Sequence, residues 1–315
     1  MNLKIKAVLS GLSTYTPWYD RKGATGGTDS ARYCYSVWLR HLVLGARRSA
    51  VRSIPKVVAE LGPGDSIGIG LAALLSGAER YFALDLVRYS ELDKNLEIFE
   101  ELVSLFAAQA PIPGEQEFPF LYPKLGCYDF PQRLVGGEGL RDSLTPQRLA
   151  LIKSSMARAD AEQGMISYKA PWNAPDVVDD ASVDLIFSQA VLEHVDDLQG
   201  VYAAMRQWLK PDGIMTHQID FKCHGKANTW NGHWTYSDLI WKVIVGRRAY
   251  LLNRQPHSRH IKLIQQSGFQ ILDDTVYRSD SHLRREQLAE RFRDLSQDDL
   301  TASGSFIVAA VARGA

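Results

Sequence analysis

The sequence predicts an α/β fold in which a seven-stranded sheet carries helices on both faces. Short apolar runs, typical of buried strands, alternate with stretches of helical periodicity. This alternation runs from residue 57 to the C-terminal region and indicates a parallel sheet. The chain has 315 residues, 45% of them hydrophobic, which is enough for one such domain with insertions.

The predicted elements follow one another in chain order. Seven apolar runs have the length of strands, at residues 57–61, 81–86, 166–169, 183–188, 214–219, 269–272 and 305–312. Apolar residues recur at helical spacing in residues 31–48, 68–76, 90–109, 198–209, 261–266 and 284–295. A further helix is expected to begin at Pro146, with Thr145 as its N-cap.

Two long stretches interrupt this order. Residues 107–160 separate the second and third strands, although a crossover usually needs only one helix and short loops. Residues 221–257 follow the fifth strand and are rich in Trp, His, Asn and Gly. We therefore expect an N-terminal basic helical arm at residues 1–56 and a core domain at residues 57–315 that contains both insertions.

Charge is balanced over the chain but not along it. The whole sequence has 36 Lys and Arg against 36 Asp and Glu, so net charge gives no indication of a nucleic-acid partner. Residues 1–56 contain ten basic and two acidic residues, a net of 10 − 2 = +8. This charge is either a solvated basic face or a means of attracting a phosphorylated or membrane-proximal substrate.

The cysteines and the hydropathy pattern indicate a cytoplasmic location. Cys34, Cys127 and Cys223 are far apart and form no CxxC pair, which argues against a disulfide framework and a structural zinc site. The N-terminus lacks the sustained apolar stretch of a signal peptide, and no run of 18 apolar residues predicts a transmembrane segment.

A glycine-rich turn after the first strand is the sharpest local signal. Gly62 and Gly64 directly follow a buried run, where glycine lets the backbone turn tightly and approach a ligand. The next helix points its free N–H groups at the same place. Asp85 ends the following strand, 85 − 62 = 23 positions after Gly62, at the spacing of an acid that binds ribose hydroxyls.

Two ligand classes fit such a turn, a dinucleotide and S-adenosylmethionine. Glu60 would repel a pyrophosphate but suits the cationic end of S-adenosylmethionine. Pro63 has no N–H to offer a phosphate, and Asp65 adds negative charge. We expect S-adenosylmethionine as the cofactor. A nicotinamide-dependent oxidoreductase and a non-catalytic scaffold with a cofactor-binding fold are the alternatives.

Several segments resemble class I S-adenosylmethionine-dependent methyltransferases. Residues 60–64 with Asp85 are similar to the family's glycine loop and ribose acid, and residues 184–195 to its segment after strand four. Residues 209–213 look like its turn into strand five. This resemblance implies a Rossmann-like seven-stranded methyltransferase sheet. Residues 27–33, 217–222 and 230–234 further resemble a bacterial subgroup associated with surface-polysaccharide biosynthesis.

The resemblance also suggests cofactor contacts. Glu60, Gly62 and Gly64 would line the methionine and ribose part, Asp85 would bind the ribose, and Leu86 would pack on the adenine. The expected cofactor-binding residues are Glu60, Gly62, Pro63, Gly64, Asp85, Leu86, Ser188 and Gln189. Trp172 stands where the family commonly has an acid at the adenine edge. It either stacks on the adenine or belongs to the core.

Candidate catalytic residues follow strands four and five. Methyl transfer to a hydroxyl requires positioning and removal of a proton. Asp220 and His224 come at the exit of strand five, and one or the other is the expected base. His194 is either catalytic or a hydrogen-bonded structural histidine. No residue spacing requires a metal.

We expect the protein to methylate a small-molecule or glycan acceptor, at an oxygen. The two insertions interrupt a core that is complete without them, so we expect them to form the acceptor pocket. Trp230, His233 and Trp234 either close a lid over the acceptor or anchor the second insertion.

Overall fold

The computed structural model describes residues 3–19, 27–49, 53–159, 164–172 and 175–312. The strands in these ranges are β1 (Val57–Leu61), β2 (Arg80–Leu84), β3 (Ile166–Lys169), β4 (Val183–Gln189), β5 (Leu209–Asp220), β6 (Phe269–Arg278) and β7 (Ala302–Val311). The α-helices are α1 (Leu3–Ser13), α2 (Ala31–Arg48), α3 (Gly68–Ser76), α4 (Leu92–Ala107), α5 (Gln132–Val135), α6 (Gly137–Ser143), α7 (Pro146–Met156), α8 (Leu198–Trp208), α9 (Asp238–Val245), α10 (His257–Gln266) and α11 (Gln297–Thr301). The predicted strands are confirmed, and α2 has the predicted bounds.

The strands form one seven-stranded sheet in the order β3-β2-β1-β4-β5-β7-β6. The five strands β1 to β5 run parallel to one another, so the carboxyl ends of β1, β2, β4 and β5 share one edge of the sheet. β7 is antiparallel to both β5 and β6, which corrects the expectation of an all-parallel sheet.

Two short 3₁₀ turns and the short helix α11 lie between β6 and the antiparallel strand β7. The helix predicted at residues 284–295 is wrong, because the chain forms only two short 3₁₀ turns there, Arg285–Gln287 and Glu290–Phe292. A parallel return would need a crossover along the sheet, whereas antiparallel strands can be joined at one end of the sheet. The chain therefore leaves β6 and re-enters as β7 between β6 and β5.

Helices cover both faces of the sheet, as predicted. On one face, α2, α3 and α4 enclose a core that includes Trp38, Leu71 and Phe99. On the other face, α8 and α10 enclose a second core. The sequence of α8 explains its orientation, because its buried side chains recur at helical spacing, at Leu198, Val201, Tyr202, Met205 and Trp208.

The first insertion is held to the α2 face by a buried arginine. Arg40 is fully buried in α2, and its guanidinium donates to the carbonyl oxygens of Pro113 at 3.0 Å and of Pro123 at 2.5 Å. Within the part that the structure describes, α5, α6 and α7 of the insertion pack near α3, α4 and β3. The periodicity of apolar residues could not predict this contact, because the contact joins the Arg40 side chain to loop carbonyls over 70 residues away.

The second insertion is anchored by its aromatic residues, not closed over a ligand by them. Trp234 is fully buried and packs with Leu288, Phe292 and Leu300, while its indole N–H donates to the Arg254 carbonyl at 3.0 Å. Half-buried Trp230 donates to the Asp280 carbonyl at 2.8 Å. Of the two interpretations of this cluster, the structure therefore favours the anchor.

The N-terminal helix α1 packs against this second insertion. Its Ala7 belongs to a small core with Trp241 and Ile244 of α9. The other helix of the predicted arm, α2, packs on the sheet. Across the described ranges, no helix combines the length and apolar character needed to cross a membrane.

Candidate active site

The glycine turn leaves β1 at the carboxyl edge of the sheet. Gly62 and Gly64 have φ values of +66° and +74°, in the left-handed region that favours glycine. A Cβ on Gly62 would lie 2.6 Å from the side chain of Val191, which follows β4. The Gly62 N–H donates to the Leu84 carbonyl at 2.8 Å. The turn thus passes closely between β2 and the segment after β4, as its sequence predicts.

A segment before α2 braces this turn, which sequence reasoning missed. The Thr28 hydroxyl donates to the Pro63 carbonyl at 2.9 Å and accepts from the Ser66 N–H at 3.1 Å. The Ser66 hydroxyl in turn donates to the Thr28 carbonyl. Thr28 lies in the stretch 27–33, whose sequence resembles the bacterial subgroup but does not indicate that it contacts the glycine turn.

Glu60 supports the turn from inside the protein. It is 1% exposed, and its carboxylate accepts a hydrogen bond from the Tyr81 hydroxyl at 2.5 Å. Burial raises the pKa of Glu60 to about 8. The side chain therefore faces Tyr81 and the α3 side of the sheet. This placement argues against the expected direct contact with the cationic end of the cofactor and makes Glu60 a positioning residue.

Asp85 and Leu86, the expected contacts of the ribose and the adenine, directly follow β2 at the carboxyl edge of the sheet. Asp85 is 8% exposed, and one carboxylate oxygen accepts from the Leu86 N–H at 2.7 Å. Burial raises the pKa of Asp85 to about 6, although backbone hydrogen bonds, including one to Gly64, act in the opposite direction. The Leu86 side chain is 41% exposed, an apolar surface that an adenine ring would cover.

The residues expected at the end of β4 turn into the protein instead. Ser188 is fully buried, and its hydroxyl hydrogen-bonds His217 Nδ1 at 2.8 Å on the neighbouring strand. The amide of half-buried Gln189 bonds His41 Nε2 at 3.0 Å and donates to the Tyr122 carbonyl at 2.9 Å. The Ser188 side chain is therefore occupied by His217, and the expected cofactor contact of this residue stays a prediction. Gln189 links the sheet to the first insertion.

Trp172 also belongs to the core. The half-buried indole meets Trp208 of α8 edge-on, with ring centroids 6.0 Å apart, and packs on the core of that face. The structure thus favours the core interpretation over stacking on an adenine.

The predicted catalytic residues converge at the ends of β4 and β5. Asp220 Oδ2 lies 3.5 Å from His224 Nε2, and Asp220 Oδ1 lies 3.4 Å from Lys222 Nζ. The His194 and His224 rings are 5.2 Å apart between centroids. Glu193, a further residue of the loop after β4, accepts a hydrogen bond from the Asp220 N–H at 3.3 Å. His194 ends a 3₁₀ turn, Leu192–His194, in the loop that follows β4.

Burial and charge set the protonation states in this cluster. Burial would raise the pKa of Asp220, but the hydrogen bond from His224 and the charge of Lys222 bring it below its usual value. Burial lowers the pKa of His194 to about 4, so the imidazole is neutral at pH 7. Burial raises the pKa of Glu193 well above its usual value, with the Asp220 charge acting in the same direction. Asp220 is therefore the ionised member of the cluster.

Aromatic and basic side chains border the cluster. Tyr122 of the first insertion stacks obliquely on Tyr277, with ring centroids 4.1 Å apart. Lys124 and Lys222 lie 4.9 Å and 6.0 Å from the centre of the Tyr122 ring. The two insertions thus meet beside Asp220, where an acceptor could approach the sheet edge.

Comparisons with known proteins point to methyltransferases. Residues 151–216 match the sequence profile of a family described as "Methyltransferase domain", which spans the chain from α7 into β5 but not the glycine turn. A comparison with curated proteins finds no significant match.

Among solved structures, a "S-adenosylmethionine dependent methyltransferase from Mesorhizobium loti" is 15% identical, with 90% of this chain and 100% of that chain covered and a TM-score of 0.42. One of the "SAM-dependent methyltransferases" from Methanosarcina mazei is 14% identical, with 83% and 94% covered and a TM-score of 0.43. Phosphoethanolamine N-methyltransferase 2 from Haemonchus contortus is 13% identical, with 96% and 60% covered and a TM-score of 0.43. Likeness at this level carries no information about the acceptor.

The residues of the turn fit S-adenosylmethionine. The two left-handed glycines leave the backbone open, and a buried acid follows at the end of β2. Pro63 removes one N–H that a phosphate would need, and Asp65 would repel it. Together with the strand order of the sheet and the methyltransferase-domain match over residues 151–216, these features indicate an S-adenosylmethionine-dependent methyltransferase.

Proposed function

We propose that the protein methylates a hydroxyl group of a small-molecule or glycan acceptor. The observation that carries this proposal is the Asp220–His224 pair, joined at 3.5 Å at the end of β5. A neutral hydroxyl is a weak nucleophile, so its attack on a methyl group requires a base that removes the proton. A neutral amine attacks through its free lone pair and does not need that base. A carboxylate–imidazole pair beside the cofactor turn suits oxygen as the methylated atom.

The chain's own residues divide the work as follows. The glycine turn and Asp85 hold the cofactor, which when bound supplies an electrophilic methyl group. The Asp220–His224 pair takes the proton of the acceptor hydroxyl, and the ionised Asp220 stabilises the positive charge on the imidazole. Lys222, 3.4 Å from Asp220, holds the carboxylate in place.

A polyhydroxylated acceptor fits the border of the site. The rings of Tyr122 and Tyr277 offer apolar faces on which a sugar can stack, and Lys124 and Lys222 add hydrogen-bond donors and positive charge. The predicted role of both insertions in the acceptor pocket is retained, with Tyr122 and Lys222 as its residues. The resemblance to the bacterial polysaccharide subgroup makes a nucleotide sugar or a surface-glycan fragment the first acceptor to test.

Replacement of the pair tests this proposal. A panel of nucleotide sugars and glycan fragments is incubated with the enzyme and cofactor, and NMR locates the new methyl group on the product. On the accepted substrate, Asp220→Asn and His224→Gln should each lower turnover by about 10²–10⁴-fold while cofactor affinity stays within about twofold. The exposed His282→Gln is the matched control. Near-full rates in both variants, or a methyl group on nitrogen, would refute the proposal.

We further propose that α1 brings the enzyme to an anionic lipid surface, where a membrane-proximal acceptor would be found. Ile5, Leu9 and Leu12 form an apolar stripe on α1 with each side chain about half exposed, and Trp18 is 93% exposed. Basic side chains flank them, with Lys4 and Lys6 on the helix itself. An apolar face bordered by cations complements anionic headgroups over acyl chains.

Vesicle binding tests this surface. The protein should float with vesicles that contain phosphatidylglycerol and stay unbound with pure phosphatidylcholine. Leu9→Glu should abolish flotation, while Leu239→Glu, at an exposed apolar residue of α9, should retain it. Equal binding to both vesicles, or none to either, would contradict the proposal.

We place the protein in the cytoplasm, and the free thiols of Cys34, Cys127 and Cys223 support a reducing compartment.

A further inference from the structure

We propose that Glu193, His194 and His224 bind one divalent transition-metal ion at the end of β4 and β5. These residues come from two loops, about 30 positions apart in the sequence. The loop after β4 also contains Val191, and a Cβ on Gly62 would lie only 2.6 Å from the Val191 side chain. The proposed metal site is therefore next to the glycine turn.

The ligand set and its spacing suit such an ion. One ligand atom from each of the three residues lies within 4.8 Å of the others. Around an ion with bonds of about 2.0–2.2 Å, tetrahedral ligand atoms are roughly 3.4 Å apart, so each side chain needs to move by only about 1 Å. Two imidazoles and one carboxylate favour ions such as Mn²⁺, Fe²⁺, Co²⁺ and Zn²⁺ over Mg²⁺ and Ca²⁺.

A second observation points to a missing ligand. Glu193 is 3% exposed, yet its Oε2 atom has no hydrogen-bond partner among the described residues. His194 Nδ1 is likewise buried, and in the same ranges nothing donates to it. Buried polar atoms without partners are costly and rare in native proteins. Both atoms belong to the same three-residue group, which a bound cation would satisfy together.

Neighbouring residues orient the proposed ligands. Asp220 Oδ2 lies 3.5 Å from His224 Nε2, so the carboxylate can hold this ring while its other nitrogen turns to the ion. The Asp220 N–H donates to Glu193 Oε1 at 3.3 Å, which leaves Oε2 for the metal. Metal-binding histidines commonly have such a carboxylate partner.

The role of the ion rests on the proposed function, whereas its binding does not. An ion with open coordination positions can hold two neighbouring hydroxyls of a sugar and lower the pKa of the reacting one. With the ion bound, the O–H bond of that hydroxyl would break and its proton would pass to Asp220, because a His224 ring that is a metal ligand could not take it. The ion would therefore narrow the proposed Asp220–His224 base to its carboxylate. The oxygen forms a bond to the methyl carbon as the bond between methyl and sulfur breaks.

Metal binding by the full-length protein tests the inference without acceptor or cofactor. The protein is stripped with a chelator and titrated with Co²⁺, whose visible absorption reports imidazole and carboxylate ligands, and bound metal is counted by mass spectrometry. We expect one Co²⁺ per chain, displaced by Zn²⁺. His224→Gln and Glu193→Gln should each weaken Co²⁺ binding by at least about 10–100-fold. His282→Gln, an exposed histidine outside the cluster, should leave it unchanged.

The possible results separate this inference from the proposed function. No Co²⁺ binding by the wild-type chain, or binding that survives His224→Gln, overturns the metal site and leaves O-methylation by the Asp220–His224 pair standing. His224 is on a loop and a third exposed, so its replacement should leave the fold intact, which circular dichroism checks. Stoichiometric Co²⁺ binding that this variant abolishes supports the site even if the methyl group is found on another atom.

Discussion

Asp85 should make cofactor binding depend on pH. Burial raises its pKa to about 6, and the residue is 8% exposed. Ribose hydroxyls donate to the ionised carboxylate, so the complex favours the deprotonated form. Binding must therefore release a proton whenever the free protein has Asp85 protonated, and affinity must fall as the pH drops through the pKa of the free protein.

The size of this effect follows from that pKa. With a pKa near 6, about nine-tenths of the carboxyl groups are protonated at pH ~5 and about one-tenth at pH ~7. The dissociation constant should therefore be about tenfold larger at pH ~5 than at pH ~7, which is about 1.4 kcal/mol. Asp85→Asn should bind more weakly by about 1–3 kcal/mol at pH ~7, because the amide replaces one acceptor oxygen by a donor.

Isothermal titration calorimetry with S-adenosylhomocysteine in buffers of different ionisation enthalpy measures both affinity and proton release. The control is Asp93→Asn, at an exposed carboxylate in the first turn of α4. It should keep the wild-type pH profile, whereas Asp85→Asn should have a flat one. A wild-type affinity that does not change over this range, or an equal slope in Asp85→Asn, would refute the assignment of Asp85 as the ribose acid.

Three further substitutions test the structure around the site, each by urea denaturation. Thr28→Val removes the hydrogen bonds that brace the glycine turn and should lower the free energy of unfolding by about 1–3 kcal/mol, more than Thr16→Val on the exposed surface. Gly70→Ala places a Cβ 2.0 Å from the Tyr81 ring and should cost about 1–3 kcal/mol, whereas Gly139→Ala, with open space around it in α6, should be neutral or stabilising. Trp234→Ala empties a fully buried site and should cost about 3–5 kcal/mol, compared with less than about 0.5 kcal/mol for Trp18→Ala. Equal losses in a variant and its control would contradict the corresponding contact.

The sequence by itself determined the strand–turn–helix unit around Gly62 and Gly64. Left-handed backbone at these positions depends on the residue type, so the turn could be located before any tertiary contact was known. The same holds for α2, where Ser30 caps the first turn and apolar residues recur at helical spacing. The spacing from Gly62 to Asp85 follows from the lengths of α3 and β2, which are also local properties.

Only the tertiary structure decided which way the polar side chains of the strands point. Glu60 and Ser188 end parallel strands, as predicted, but each faces a packed helix layer, with Tyr81 and His217 as its respective partner. Successive side chains of a strand point to opposite faces of the sheet, so a shift of the strand by one residue would turn each side chain to the other face. Polar residues at strand ends carry no hydrophobic pattern that would fix this register.

The convergence of Glu193, His194 and His224 was likewise absent from the sequence pattern. Two loops from neighbouring strands bring these residues together, and loop conformation depends on contacts far along the chain. Asn253, for example, holds the loop after β4 by donating to the carbonyl of Leu192 at 2.7 Å. The direction of β7 has the same kind of cause, since the chain pairs with β5 over 80 residues away. The local periodicity of apolar residues predicts which face of each helix or strand is buried. The site depends on contacts between several such elements, which that periodicity does not determine.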